Sequence, residues 1–290
     1  MKVLITGASG LIGQKLGQAL IGLGHELVVL TRSTAAFNAN PPFRATAFAW
    51  GDKYGIPHAC LDKVECVIHL AGETVARRWT VRAKETMADS RILSTEQLVK
   101  ALQTLQVPPI FITASAIGIY GRVPFLAELC NQWENASLPL EAKTRRIILR
   151  IGLVLSRHQG LLGKLEPIFA KGLGGRLGNG EHSMSWIHVD DLVAAILFLL
   201  KHPTAHGVFD IVSPNPVTNR EFTMKFAKAL GRSALFPVPR IAVQLLMGEF
   251  ANSIFDSQKI YPQHLTALGF QFSHPELGPT LTHIFSTPRS

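Results

Sequence analysis

Gly7-Ala8-Ser9-Gly10-Leu11-Ile12-Gly13 stands between a short apolar run, Val3-Leu4-Ile5, and a helical face made by Leu11, Leu16 and Leu20. A strand, a glycine-rich turn and a helix in that order open a β-α-β unit. Gly24 stops the helix, and residues 27–30 supply the next strand. The first glycine permits a tight turn and the second lets main chain approach a pyrophosphate. The third allows the helix to pack closely on the strand. Phosphates then lie at the helix N-terminus, where free N–H groups and the helix dipole favour anions. Gly7, Ser9, Gly10, Leu11 and Ile12 are therefore candidate dinucleotide-binding residues. A three-glycine pattern alone is weak evidence, but opening a β-α-β unit it is strong.

The end of the second strand bears on which dinucleotide is bound. NAD-binding units place an acid there, ~20 residues after the glycines, to hold the ribose hydroxyls. Here the place is taken by Thr31-Arg32-Ser33. An acid would repel a 2′-phosphate, whereas a guanidinium binds it with two hydrogen bonds. NADP is the expected cofactor, the alternative being that Arg32 is a solvated surface arginine.

Further apolar strands follow at 45–49, 66–70, 110–113 and 147–151, with helical stretches at 82–102 and 125–134. Continuous apolar strands suit a sheet covered on both faces. The predicted fold is α/β, a Rossmann-type doubly wound parallel sheet with a small mixed C-terminal subdomain on the substrate side. We expect residues 1–155 to form the NADP-binding domain, with 181–215 returning to it, and 156–290 to form the smaller region. A glycine-rich run at 171–180 reads as a flexible loop or a plain connection. Beyond it lie a strand at 208–212, a helix at 219–230 capped by Thr218 or Asn219, and a helix near 241–250.

The 290 residues are 47% hydrophobic and 17% charged, which supports a large core and excludes disorder. The longest apolar run, 192–200, is about half of a membrane span. The chain enters a strand almost at once, so no signal peptide is expected. Cys60, Cys66 and Cys130 are unpatterned, which suits reduced thiols in the cytoplasm and gives no metal site. The net charge of +9 is compatible with nucleic acid or a phosphorylated ligand. The basic residues are dispersed, however, with no Lys/Arg tract, which argues against nucleic acid and for phosphates on a small molecule.

The glycine turn, Arg32, His69-Leu70-Ala71-Gly72-Glu73, residues 113–121 and residues 186–191 together resemble the extended short-chain dehydrogenase/reductases. More closely, the chain resembles an atypical, epimerase-like family with a C-terminal domain of unknown function. Members of that family are often labelled NAD-dependent epimerase/dehydratase or cell-division inhibitor. Arg78-Trp79, Asp89-Ser90-Arg91, Gly172-Leu173-Gly174-Gly175, residues 184–191 and residues 214–219 carry this likeness over nearly the whole chain. The resemblance places Leu70, Ala71 and Gly72 along the cofactor and Arg91 at an active-site asparagine position. Gly152 and Val154 match the strand end that passes the nicotinamide. Ser115 is similar to the catalytic Ser/Thr, although its spacing to Tyr120 is one residue longer than usual.

Standard members transfer a proton with a Tyr-x-x-x-Lys pair. Four residues after Tyr54, Tyr120 and Tyr261 stand His58, Pro124 and Leu265, so the pair is absent. By the resemblance, Leu126 and Cys130 occupy the tyrosine and lysine places, and Glu134 matches the acid that often follows. Ser115, Tyr120 and Glu73 are the substitute catalytic candidates; His188 reads better as a structural histidine before a helix capped by Asp190 and Asp191. Only Arg122, Val123 and Pro124 link Tyr120-Gly121 to that helix, where the family has a longer segment. Either the segment is deleted, which would open the substrate side of the cleft, or loop residues are missing from the sequence, which the good match on both sides favours. An NADP-dependent oxidoreductase or epimerase-like enzyme acting on an unknown small molecule is the leading reading. A non-catalytic NADP(H)-binding sensor is the alternative, and a homodimer is compatible with either.

Overall fold

The computed structural model describes residues 1–51, 55–157, 159–234 and 236–286; Tyr54 lies outside them. In chain order the first strands are β1 (Lys2–Thr6), β2 (Glu26–Thr31), β3 (Thr46–Ala49), β4 (Cys66–His69), β5 (Ile110–Ala116) and β6 (Arg146–Ile151). The later ones are β7 (Leu153–Leu155), β8 (Ser183–Met184), β9 (Trp186–His188), β10 (Gly207–Ile211) and β11 (Val217–Thr218). Seven of these form one parallel sheet in the order β3-β2-β1-β4-β5-β6-β10. Strand order reverses at β1, which pairs with β2 on one side and β4 on the other. Such a switch point opens a crevice at the carboxyl ends of the strands.

The main helices are α1 (Leu11–Gly22), α2 (Thr34–Ala39), α3 (Val81–Asp89), α4 (Ile92–Gln103), α5 (Pro124–Asn135), α6 (Gly160–Ala170) and α7 (Val189–Lys201). Alternation along each strand sends neighbouring residues to opposite faces. Ile5, Val29, Ile68, Ile112, Leu149 and Ile211 pack with Leu16 and Leu20 of α1 and Leu192, Ile196 and Leu199 of α7. Leu4, Val28, Val67 and Phe111 pack on the other face with Leu98, Val99 and Leu102 of α4. With both faces covered, the strands read as unbroken apolar runs.

The C-terminal helices are α8 (Asn219–Ala229), α9 (Arg240–Met247), α10 (Ala251–Ile254), α11 (Gln263–Ala267) and α12 (Leu277–Ser286). Phe222, Phe226, Leu281 and Ile284 bury Trp186 in a separate core, which makes that tryptophan a packing residue. Trp79 likewise packs with Met87, Val123 and Leu129. Thr218 is the residue that caps α8, accepting the amide of Glu221.

Several expectations are corrected. The stretch 82–102 is two helices, because Ser90 and Arg91 break it and use their side chains to hold the chain after β4. The helix near 241–250 ends at Met247, where Gly248 takes φ +62°. Within the run 171–180 the main chain at 176–178 is hydrogen-bonded to distant segments. Leu177 N–H donates to Asn219, Val238 N–H to Arg176 O, and Gly178 N–H to Val238 O. In the short link before α5, Gly121 N–H donates to Gly118 O and Arg122 N–H to Asp256 Oδ2, so a segment near residue 256 meets the link.

Gly7 (φ +71°) and Gly13 set how closely this frame packs. A Cβ on Gly7 would lie 2.7 Å from Leu70 C and O, and one on Gly13 2.3 Å from Gly7 O. On Gly10 it would meet only Gly7 O, at 3.3 Å. Gly13→Ala is expected to lower stability by about 1–3 kcal/mol, the cost of forced overpacking. Gly10→Ala should leave the melting temperature nearly unchanged and weaken dinucleotide binding; thermal melts with cofactor titrations check both.

Candidate functional site

The glycine turn joins β1 to α1, with Gly10 as the N-cap residue. No side chain caps this helix and its first turn holds no acid, so its leading N–H groups and positive dipole end face the crevice. Gln14 Nε2 donates to Ser9 O at 2.8 Å, which braces the turn. With Gly10 bare of a side chain at the helix N-terminus, the cradle fits a pyrophosphate. Leu11 and Ile12 follow in the first turn of α1. Beside them, β2 ends at Thr31, and Ser33 caps α2 by accepting the amide of Ala36. The Arg32 side chain is 86% exposed and its Nη1 lies 2.8 Å from Glu73 Oε1.

A buried network anchors the opposite wall of the crevice. The Thr6 hydroxyl accepts the amides of Leu70 (3.2 Å) and Ala71 (3.1 Å) and donates to His69 Nδ1 at 2.7 Å. That donation leaves the His69 proton on Nε2, which donates to Thr95 Oγ1 at 3.1 Å; Thr95 donates in turn to Arg91 O. Burial pushes the His69 ring down to about 3, so it is neutral. Thr6, His69 and Thr95 carry no motif by themselves, and their partnership is visible only once β1, β4 and α4 are assembled.

Arg91 is turned inward. Its Nη2 donates to Glu73 O (2.8 Å), its Nη1 to Met87 O (3.1 Å), and its guanidinium lies 5.1 Å from the Trp133 ring. Gly72 allows this, since a Cβ there would stand 3.0 Å from Arg91 Cζ. Gly152 follows β6, where a Cβ would lie 2.7 Å from Ser185 O; Val154 belongs to β7, paired with Ile187.

Three neighbouring strands put Ser115, Arg150 and Asp210 in one cross-strand row, at the carboxyl end of the sheet. Ser115 is 3% exposed and donates to Glu134 Oε1 at 2.6 Å. Arg150 holds the same carboxylate with two bonds, Nε to Oε1 and Nη2 to Oε2, both 2.8 Å. Its Nη1 donates to the Tyr120 hydroxyl at 2.6 Å, and that hydroxyl donates to Asp210 Oδ1 at 2.9 Å. Glu134 in contact drives Arg150 further up. Burial raises Tyr120 and Asp210 above their ordinary ranges; the Arg150 hydrogen bond opposes this at Tyr120. Tyr120 keeps its proton and is 44% exposed, whereas Ser115 is buried. Leu126 and Cys130 lie under the 3-10 turn Ile117–Tyr120, and burial pushes the Cys130 thiol up to about 11. Arg150 and Asp210 were missed in the sequence. A charge at 150 inside the apolar run 147–151 was the available signal.

His188 is itself the N-cap residue of α7, accepting the Asp190 amide on Nδ1 at 3.2 Å. Asp191, expected as a cap, accepts the amides of Ser273 and His274 instead, each at 2.9 Å. Burial first, then the neighbouring His274, pushes His188 down to about 4.

A parallel sheet reversing at β1, a glycine cradle at the switch and a carboxyl-end polar cluster define a Rossmann-type protein of the extended short-chain dehydrogenase/reductase kind. Residues 3–141 and 127–212 match the NAD dependent epimerase/dehydratase family, and residues 238–284 match a domain of unknown function, DUF1731. The chain belongs to the NAD dependent epimerase/dehydratase family, as an NAD(P)-binding member carrying that C-terminal domain. It is 36% identical over 303 residues to an epimerase family protein of Mycobacterium leprae (strain TN), covering 99% of this chain and 96% of that one. A chloroplastic SDR39U1 homologue of Arabidopsis thaliana is 34% identical, covering 94% of this chain and 84% of its own. The crystal structure of human epimerase family protein SDR39U1 (isoform 2), solved with NADPH, superposes with a TM-score of 0.88 at 31% identity. That match covers 99% of this chain and 100% of the human one. No helix among the described residues is long and apolar enough to cross a membrane.

His69 and His188 are neutral when folded and ordinary, near pKa ~6.5, when unfolded. The unfolded chain therefore binds more protons as pH falls below ~6.5, so their contribution is full above that pH and is lost toward pH 4 and 3. Urea midpoints measured from about pH 7.5 down to 4.5 should decline. His69→Gln should be less stable at the top of that range and should decline less steeply below it.

Proposed function

We propose that this protein binds NADP(H) and acts as an NADP-dependent oxidoreductase or epimerase-like enzyme on a small molecule, with Tyr120 in place of the absent Tyr-x-x-x-Lys pair. The observation that carries the cofactor reading is Arg32: an exposed guanidinium stands just past β2, where an NAD-binding unit has an acid. Its bond to Glu73 is mostly solvated, and such pairs contribute less than about 1 kcal/mol, so a 2′-phosphate displaces it readily. Glu73 thus acts on the adenosine side, aiming Arg32, rather than on the reacting carbon. The NADPH in the human SDR39U1 structure supports this choice.

Bound NADP would lie with its pyrophosphate on Gly7, Ser9, Gly10, Leu11 and Ile12, and its ribose phosphate near Thr31, Arg32 and Ser33. Leu70, Ala71 and Gly72 would line its middle, with Gly152 and Val154 beyond. The cofactor supplies a hydride donor or acceptor; the chain's residues supply orientation and a proton. Arg91, with its guanidinium on main-chain carbonyls, serves by holding Gly72 and Glu73 in place.

Tyr120 has a cation 2.6 Å from its oxygen, as the usual tyrosine has a lysine. The carboxylate of Asp210 opposes that cation, so the phenol is a proton donor rather than a standing base. Ser115 and Glu134 position Arg150 from below. The three cysteines are free and buried, which supports a reducing compartment such as the cytoplasm.

Titration of the purified protein with NADPH and NADH tests the cofactor reading. NADPH should bind more tightly, and Arg32→Asp should weaken it about ten- to hundredfold, the worth of a charge-assisted contact, while sparing NADH. Equal affinity in the wild type would remove the role given to Arg32. Across a carbonyl and sugar-nucleotide panel, Tyr120→Phe should lower turnover by about a hundredfold or more with NADPH binding intact. A panel with no turnover at all, despite tight NADPH binding, would instead establish a sensor. Asp210→Asn should lower the Tyr120 pKa, read as tyrosinate absorbance against Tyr120→Phe.

A further inference from the structure

We propose that His188, Asp190 and His274 form a binding site for a divalent transition metal of the zinc class, where the start of α7 meets the segment leading into α12. One ligand atom from each of the three lies within 4.8 Å of the others. The His188 and His274 rings are 4.1 Å apart between centroids, and His283 borders them, 4.9 Å from His274 and 6.0 Å from His188. Three imidazoles from distant stretches of the chain thus converge beside a carboxylate.

His188 Nδ1 accepts the Asp190 amide, so its lone pair lies on Nδ1 and its proton on Nε2; an ion at Nδ1 takes that lone pair in place of the amide, and the N–H of the exposed Asp190 turns to solvent. Asp190 Oδ2 is 3.8 Å from that nitrogen. A tetrahedral ion with bonds near 2.1 Å separates its donors by about 3.4 Å, so a small side-chain rotation closes the site. The other carboxylate oxygen, Oδ1, faces Lys15 at 3.1 Å, which orients the group and leaves Oδ2 to the ion. Asp191 fixes the main chain of His274 through two amide bonds, so this ligand is held to α7 before any metal arrives.

Two imidazoles and one carboxylate select zinc, nickel, cobalt or copper over magnesium or calcium, which prefer all-oxygen sites. One coordination position remains for water or His283. The ion would clamp the C-terminal segment against the Rossmann sheet through α7. It would act on stability, in a role separate from hydride transfer.

The test uses tag-free, full-length protein stripped with chelator. One equivalent of Zn2+ should bind in competition with a fluorescent chelator and raise the melting temperature. Co2+ should give the visible absorption of a low-coordinate nitrogen-oxygen site. His274→Ala should bind Zn2+ at least about a hundredfold more weakly, with NADPH affinity unchanged. If His274→Ala proves unstable without metal, the wild-type Co2+ spectrum decides: a spectrum of the hydrated ion at one equivalent overturns the proposal. So would wild-type protein that leaves Zn2+ with the chelator, or a His274→Ala protein binding as tightly as the wild type.

Discussion

The rest of the molecule depends on how closely the turn after β1 approaches the chain leaving β4. Gly7 has no room for a Cβ because Leu70 and Ala71 main chain fills that space, and Thr6 receives both of their amides on one hydroxyl. This contact sets the switch point of the sheet and therefore the crevice in which a dinucleotide lies. It also explains a buried histidine inside a hydrophobic strand. His69 is the group that accepts the Thr6 proton and passes the constraint to α4 through Thr95. An apolar residue there would leave the Thr6 hydroxyl without an acceptor in a dry interior, at a cost of about 1–3 kcal/mol.

On the other half of the sheet, a charged cluster joins the hydrophobic contacts at the carboxyl ends of the strands. Arg150 lies between a serine and an aspartate on adjacent strands, and its two-point bond to Glu134 secures α5 to the sheet. An arginine withdrawn this far from solvent is stabilised by such full pairing. The phenol of Tyr120 closes the cluster toward the crevice. Where relatives of the standard type place a tyrosine and a lysine on one helix, this chain assembles a phenol and a guanidinium from a turn and a strand. The helix carries Leu126 and Cys130 at those two places.

Much of the fold was legible in the sequence because its signals are local. The glycine turn, the apolar strands and the stop at Gly24 each follow from neighbouring residues. Arg32 at the end of β2 was legible for the same reason, being placed by a count from the glycines. The site beyond the cofactor was not. Ser115 was singled out as a catalytic candidate, yet it is buried and bonded to Glu134, in register with Arg150 on β6. Asp191 read as a helix cap, yet it binds amides 82 and 83 residues further on, while His188 does the capping.

By itself, then, the sequence determined a doubly wound parallel sheet, a glycine turn between its first strand and helix, and a cation just past the second strand. Each rests on local pattern or on spacing along a short stretch of chain. Only the tertiary structure decided that Glu73 pairs with Arg32, that Arg91 serves the main chain and that Tyr120 meets Arg150 and Asp210. It alone brought His274 and His283 to His188. Apart from the Arg91 bonds, those partnerships join residues 30 to 95 positions apart, and no periodicity records which strands and helices will lie side by side. The glycine cradle was recognised first, as a binding site; the structure shows that it is equally the packing contact on which β4, α4 and the crevice are built.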